Sequence, residues 1–163
     1  MATFTKRGTK WQVKCRKKGY KTVSKTFSLK YDAERWAREV ELAMEQRVFE
    51  STKTAEVTLV SSLLDRFWDD VASKYKSAVG VQYTIAYLKK VFGHIHLIDL
   101  DGDVAKDFKD YRLEKVSGDT VRKEMSLMKR MIDYSIRELK IHLPKGNPFN
   151  GISFPAKGKA RDR

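Results

Sequence analysis

The stretch Lys10-Trp11-Gln12-Val13-Lys14-Cys15-Arg16 decides the fold of the first fifty residues. Its side chains alternate in character: the apolar set is Trp11, Val13 and Cys15, and the polar set is Gln12, Lys14 and Arg16. A period of two is typical of a β-strand that has one buried face and one solvated face. We therefore predict a strand over 10–17 whose core face is apolar and whose opposite face is cationic.

Two further strands are predicted beside this one, over 2–6 and 20–27. Both segments are rich in Thr, Val, Phe or Tyr, and Gly8 and Gly19 mark tight turns between the strands. From about residue 30 the apolar period becomes helical, and the stripe that can cover the sheet is Ala33, Trp36, Ala37, Val40 and Met44. We predict a small domain over 1–49, in which one helix covers a three-stranded antiparallel sheet.

The rest of the chain is predicted to be helical. A polar stretch over 50–56 is interpreted as a linker. Apolar residues at helical spacing then predict a second domain over 57–154 with four helices: one from about 58, one over 81–92, one that begins at Asp101 or Asp103, and one from Ser117 or Asp119 to about 140. A basic tail over 155–163 follows. The predicted fold class is α+β, with a small sheet domain before an all-α domain.

Charge is the strongest global signal in the sequence. The chain carries 34 Lys and Arg against 21 Asp and Glu, for a net charge of +13. Ten of the basic residues lie within 1–30, where there is no acidic residue. Solubility alone favours surfaces of mixed sign, so this excess indicates a polyanionic partner.

The cationic strand face is the first candidate for nucleic-acid binding, because a narrow sheet fits the major groove of DNA. Lys14, Arg16 and the nearby cations would contact phosphates, while Gln12, Thr22 and Ser24 would reach base edges. The alternative interpretation is a solvated, lysine-rich surface. The candidate residues of this domain are Arg7, Gln12, Lys14, Arg16 and Lys21.

No catalytic, metal or cofactor motif is found in the sequence. A nucleophile elbow, a phosphate-binding Gly-rich loop and a His-Glu-x-x-His motif are all missing. His94 and His96 are two histidines without a third ligand, and Asp99, Asp101 and Asp103 lack the glutamate that closes a calcium loop. The single cysteine, Cys15, excludes a disulfide framework. With no apolar span and no signal peptide, we expect a soluble, cytoplasmic protein without metal or cofactor.

The order of several short segments resembles the N-terminal, non-catalytic part of the tyrosine site-specific recombinases, the phage-integrase family. Three segments resemble the arm-binding domain: Trp11-Gln-Val-Lys-Cys-Arg16, Lys25-Thr26-Phe27 and Ala33-Glu-Arg-Trp36. Others resemble landmarks of the core-binding domain: Phe92-Gly93, Leu97, Ile98-Asp99-Leu100, Ser117-Gly-Asp-Thr120-Val121 and Asn147-Pro148.

The resemblance implies that the sheet enters the major groove of arm-type sites, and that a four-helix, SAM-like core-binding domain forms half of a clamp around DNA. Its second and fourth helices would approach the major groove. Carried over by helix face, this nominates Gln82, Lys89 and Lys90 on the second helix and Thr120, Arg122, Lys123, Ser126, Lys129 and Arg130 on the fourth.

The family's catalytic domain would follow Arg163, so we expect no strand cleavage by this sequence. The resemblance further implies double-stranded DNA and other recombinase protomers as partners, no membrane partner, and a bacterial or phage protein associated with the nucleoid. Two alternatives stay open from the residues alone. One is a basic protein-interaction module, and the other is an RNA-binding module, since a three-stranded sheet with one helix also resembles double-stranded RNA modules.

Overall fold

The computed structural model describes residues 1–156, and it has the predicted α+β architecture of a small antiparallel sheet followed by helices. The chain divides into two compact units, the first over Met1–Ser51 and the second beginning at Thr52. The predicted basic tail, apart from residues 155 and 156, lies outside the described residues. Within the described part, no helix has the length and apolar character that crossing a membrane requires.

The first unit contains the predicted three-stranded sheet, in the order β1-β2-β3. β1 spans Ala2–Arg7, β2 spans Lys10–Cys15 and β3 spans Val23–Phe27, so the second and third strands are shorter than expected. A two-residue turn joins β1 to β2, and Gly8 adopts there the left-handed φ of 59° that such hairpin turns require. The pairing of β2 with β3 runs without interruption from Trp11↔Phe27 to Cys15↔Val23, so β3 contains no bulge.

Helix α1, Lys30–Glu45, covers one face of the sheet with the predicted apolar stripe. The core of the unit consists of fully buried small and medium side chains: Val13, Cys15, Ala33, Ala37, Val40 and Met44. Trp11 and Trp36 are only partly buried and pack at the border of this core. Burial raises the pKa of the Cys15 thiol, as expected for a cysteine that serves as a core residue.

In the described part of the second unit there are four longer α-helices and one short α-helix that was not predicted. α2 spans Lys53–Val57, α3 spans Val60–Asp70, α4 spans Ala78–Phe92, α5 spans Gly102–Leu113 and α6 spans Gly118–Arg137. The linker prediction for 50–56 is therefore wrong from Lys53 onward. Ala55 of this short helix is fully buried in the helical core, a tertiary contact that the polar sequence around it does not signal.

Two local features fix the ends of helices in this unit. The Asp101 carboxylate accepts hydrogen bonds from the backbone N–H groups of Asp103 and Val104, both at 3.1 Å, and so caps α5 as the sequence suggested. Gly93 ends α4 at a close approach, because a Cβ there would lie 2.2 Å from the Lys89 carbonyl oxygen and 3.2 Å from the Ser61 Cβ.

Helix α6 is the central element of the unit, and it carries a buried ion pair. Glu124 is only 4% exposed, and the Arg112 guanidinium of α5 reaches it through three N–H···O bonds of 2.8–3.2 Å. These hydrogen bonds raise the pKa of the Arg112 guanidinium. The same guanidinium stacks 4.0 Å from the ring centroid of Tyr87 on α4. One buried pair therefore connects three of the four main helices.

We expect Glu124→Ala to lower the free energy of unfolding of the helical unit by roughly 3–5 kcal/mol, because it leaves a largely buried guanidinium without its counter-ion. Urea denaturation followed by circular dichroism measures the change. Glu138→Ala, at an exposed position just after α6, is the control and should change little. A loss below about 1 kcal/mol for Glu124→Ala would contradict this view of the pair.

Candidate nucleic-acid interface

The face of the sheet that points away from α1 is polar along all three strands. Two rows of residues run across β1, β2 and β3 on this face. One row is Thr5, Gln12 and Thr26, and the other is Thr3, Lys14 and Ser24. Residues directly opposite each other share a face. The outer face of the sheet, as we call it, therefore consists of Thr3, Thr5, Arg7, Lys10, Gln12, Lys14, Ser24 and Thr26. It carries neither an acidic nor an apolar residue.

The charges on the outer face lie at its two ends. Arg7 and Lys10 form a cross-strand pair at one end, and Lys14 lies towards the other, where β2 finishes at Cys15. Lys10 and Lys14 are four residues apart on one strand, a separation of about 13 Å. The major groove of B-DNA is about 12 Å wide. Neutral hydroxyl and amide groups occupy the space between the two cationic ends.

Gln12 lies at the middle of the outer face, and its side-chain oxygen is unsatisfied. The Oε1 atom is covered by its neighbours, and no hydrogen-bond donor within residues 1–156 reaches it. A covered amide oxygen that lacks a donor costs about 1–3 kcal/mol relative to a satisfied one. An external donor could satisfy this acceptor only if the Gln12 side chain changed its rotamer and uncovered Oε1.

The remaining candidates of the first unit lie at its margins. Arg16 follows β2, and its backbone continues the ladder by one pair, since its N–H donates to the Met1 carbonyl at 3.3 Å and its carbonyl accepts from the Met1 ammonium at 2.8 Å. Arg16 therefore lies on the same side of the sheet as Gln12 and Lys14. Lys21 and Thr22 lie in the connection before β3, outside the strand register. Lys10 was missed by sequence reasoning, although it has the parity of Gln12 and Lys14.

On α4 the three nominated residues differ in what they contact. Gln82 and Lys90 are exposed. The Lys89 ammonium instead donates to both carboxylate oxygens of Asp65 on α3, at 2.8 and 2.9 Å. Lys89 therefore links α3 to α4 within the unit, and its charge is partly neutralised there.

On α6 part of the nominated set is covered by the C-terminal segment, which corrects the expectation that all of these residues are open to the major groove. The Arg122 guanidinium donates to the Pro155 carbonyl at 2.8 Å, and the Lys129 ammonium donates to Asn150 Oδ1 at 2.5 Å. Asn147 is buried and donates to the Lys129 carbonyl. The segment therefore runs back along α6 over the line of Arg122, Ser126 and Lys129. Thr120, also nominated, is half-buried beside the Ser117 hydroxyl at 3.1 Å.

The neighbouring line of α6 is accessible and strongly basic. After the first turn, the exposed positions of this helix are Lys123, Arg130 and Arg137. They are seven residues apart, or about 10 Å along the axis from one to the next. We call these three residues the α6 stripe. Arg137 was missed by the sequence reasoning, and the heptad spacing was the signal that could have found it.

A cleft of about 690 Å³ lies beside the α6 stripe, between α3 and α6. The Arg130 guanidinium stacks 5.3 Å from the ring centroid of Tyr75 on its wall. Within the cleft the Tyr134 hydroxyl donates to Asp70, and this hydrogen bond is the main cause that lowers the pKa of the Asp70 carboxyl. Burial, together with that bond, raises the pKa of the Tyr134 hydroxyl. The lining charges are mixed, since Asp70, Asp133 and Glu138 face Arg66, Arg130 and Arg137.

Neither a metal site nor a known relative helps to assign the interface. Within the part of the chain that is described, no three His, Cys, Asp or Glu side chains are grouped closely enough to hold a metal ion. Comparison with models of known protein families, with curated proteins and with solved structures gives no match to this chain. The argument for function therefore depends on the geometry and chemistry of these faces.

We expect Gln12→Leu to leave the first unit folded and to raise its free energy of unfolding, by up to about 1 kcal/mol. The substitution keeps the packing volume and removes a covered acceptor that has no donor. Thermal denaturation of the full chain measures the change, with Thr26→Val on the neighbouring strand as a control for general effects of apolar substitution on this face. A destabilisation by Gln12→Leu larger than that of the control would contradict the assignment.

Proposed function

We propose that the chain binds duplex DNA, with the outer face of the sheet inserted into the major groove and the α6 stripe on the phosphate backbone. The observation that carries the proposal is the arrangement of the outer face, on which cations about one groove-width apart flank a neutral, hydrogen-bonding middle. Lys10 and Lys14 would contact phosphates on the two sides of the groove. Gln12 would face the base edges, and after a change of rotamer that uncovers Oε1 this atom would accept from the amino group of adenine.

Duplex DNA is favoured over duplex RNA by the shape of the groove that the sheet would have to enter. The major groove of A-form RNA is too deep and narrow for side chains on a sheet to read. A protein partner is a weaker candidate, because the outer face of the sheet lacks both the apolar core and the mixed charge that protein interfaces contain.

The resemblance to the tyrosine recombinases supports the same proposal at a finer level. In that view the first unit binds arm-type sites and the helical unit binds core sites, so that a recombinase is positioned on attachment-site DNA for integration or excision. The order of sheet unit and helical unit agrees with this arrangement. The proposal of DNA binding does not depend on the family assignment.

We further propose that the chain does not cleave DNA. Cleavage of this type needs a tyrosine that attacks a phosphate while cations stabilise the developing charge. Tyr134 lies beside arginines in the cleft, but its raised pKa and its hydrogen bond to Asp70 oppose formation of the nucleophilic phenolate. Incubation with a suicide duplex should trap no covalent adduct, and a phosphotyrosine product would contradict the proposal.

The double variant Lys10→Ala/Lys14→Ala tests the sheet interface directly. Each phosphate contact contributes about −0.9 to the slope of log affinity against log salt concentration. We therefore expect the slope measured on a 30-base-pair duplex to become shallower by about 1.8. Fluorescence anisotropy at several salt concentrations gives the measurement.

Lys6→Ala/Lys25→Ala is the matched control, because it removes the same charge from the opposite face of the sheet. Lys6 is paired with Trp11 and Lys25 is paired with Val13, so both lysines lie on the same face of the sheet as those core residues. This control should change the slope much less than Lys10→Ala/Lys14→Ala does. Equal slopes for the two double variants would show that only net charge matters, and the proposed interface would then be wrong.

A further inference from the structure

Strand β1 forms an open edge of the sheet, because within the described residues it pairs only with β2. Met1 and Arg16 exchange both backbone hydrogen bonds. Such pairs alternate along an antiparallel ladder with pairs that exchange none. The odd-numbered residues of β1 therefore direct their N–H and C=O groups to β2. The even-numbered residues, Ala2, Phe4 and Lys6, direct theirs away from the sheet, where a further strand can pair with them.

The two edges of the sheet differ in the residue at their centre. Val13 on β2 is paired with Phe4 on β1 and with Lys25 on β3, so all three side chains lie on the face that α1 covers. A charged residue that points inward from an edge strand opposes pairing with another strand, and Lys25 has this position on β3. β1 has an aromatic ring there instead. Phe4 is 37% exposed and lies outside the core of the unit.

A groove of about 420 Å³ lies beside the open edge, between β1 and α1. Its apolar part consists of Ala2, Phe4 and Ala37, and its charged wall on α1 consists of Glu34, Arg38 and Glu41. An extended chain can add to a sheet as a further strand where the edge offers backbone groups and the neighbouring surface offers room for alternate side chains. The β1 edge has both features.

We propose that β1 pairs with β1 of a second copy of this chain, antiparallel about a twofold axis at Phe4, so that two three-stranded sheets become one. The outward-directed groups set the register. Phe4 lies opposite Phe4 of the second copy, Ala2 lies opposite Lys6, and each of these pairs exchanges two backbone hydrogen bonds. The Phe4 rings, exposed in a single copy, then cover each other. The pairing follows from the open edge and depends neither on the family resemblance nor on DNA.

Charge at the end of the groove also complements a second copy. The Met1 ammonium is 3.3 Å from the Glu41 carboxylate, which places Glu41 at the Ala2 end of β1. The register brings Lys6 of the second copy to this end, as a further cation beside Glu41. An exposed ion pair of this kind contributes little affinity. We therefore expect a weak dimer, held mainly by the strand pairing and the two rings.

On DNA the pairing would double the outer face of the sheet, and this consequence depends on the proposed function. Lys10 and Lys14 span the groove along one strand, so neighbouring strands follow one another along the groove. β2 of one copy and β2 of the second copy lie three strand spacings apart, about 14 Å. The two copies would occupy adjoining stretches of one groove, and their twofold symmetry matches a palindromic site.

Cysteine crosslinking of the full chain tests the register. The two Phe4 Cα atoms would be about 5.5 Å apart, which a disulfide can bridge, so Phe4→Cys should form a disulfide dimer under mild oxidation. Thr5→Cys is the control and should not, because Thr5 lies opposite Thr3 and the two Thr5 Cα atoms would be about 8 Å apart. An equimolar mixture of Thr3→Cys and Thr5→Cys should give the mixed dimer. The native Cys15 is buried and should not react.

Sedimentation of the full chain tests the contact between the rings. Phe4→Thr keeps a residue that favours strands and leaves the net charge unchanged, and it should raise the dimer Kd at least about tenfold. Leu29→Thr is the matched control, since it removes another exposed apolar side chain, 62% exposed, from the same unit. It should keep the wild-type Kd. Adding a 30-base-pair duplex should raise the yield of the Phe4→Cys dimer several-fold, because DNA holds two copies at high local concentration.

Contrary outcomes separate the pairing from the proposed function. Thr5→Cys that crosslinks as well as Phe4→Cys, or a missing mixed dimer with and without DNA, overturns the pairing. The mixed dimer retains both Phe4 rings, so its absence cannot come from their loss. Equal dimer Kd values for Phe4→Thr and wild type assign the dimer to another surface. Duplex binding without any crosslink removes the pairing and leaves the proposed function standing. The expected crosslinks without duplex binding do the reverse.

Discussion

The burial of Val13 and Cys15 against α1 is the constraint on which the arrangement of the first unit depends. Both side chains are fully buried, and each is flanked in the chain by polar residues. Because the side-chain period of a strand is two, a slip by one residue would move them into water and would place Gln12 and Lys14 in the core. Burying valine contributes about 1.5–3 kcal/mol, and an unpaired buried lysine costs more than that. The same alternation that forms the core therefore determines which groups the outer face presents.

The helical unit is constrained differently, because α6 is packed on several sides at once. Buried residues lie around most of its circumference and include Glu124, Leu127 and Met131. A helix enclosed in this way can show only a narrow line to solvent. The heptad spacing of the α6 stripe follows from that enclosure, and so does the need to satisfy Glu124 internally with Arg112.

The elements were predictable wherever local periodicity decides them. The alternation along β2, the stripe of α1 and the Asp101 cap are local signals, and the structure has all three. The exceptions depend on tertiary contacts. The helix at Lys53–Val57 buries one alanine against the rest of the unit, and the cover over Arg122 and Lys129 comes from a segment 21 to 33 residues further along the chain. The bond from Lys89 to Asp65 spans 24 residues. None of these contacts has a signature at short range in the sequence.

The net charge therefore overstates how many cations of the helical unit are available to bind a polyanion. The bonds that hold these cations within the unit differ in how easily phosphate could displace them. The Lys89–Asp65 and Lys129–Asn150 bonds are exposed. An exposed ion pair contributes only about 0–1 kcal/mol, and the exposed bond to Asn150 should likewise cost little to exchange. Phosphate oxygens could replace those acceptors at small cost, so both lysines would be available to the proposed DNA partner. Arg112 differs, because withdrawing it would leave Glu124 charged and buried without a partner. Burial, more than the number of basic residues, thus separates the cations that hold the fold together from those that a ligand can use.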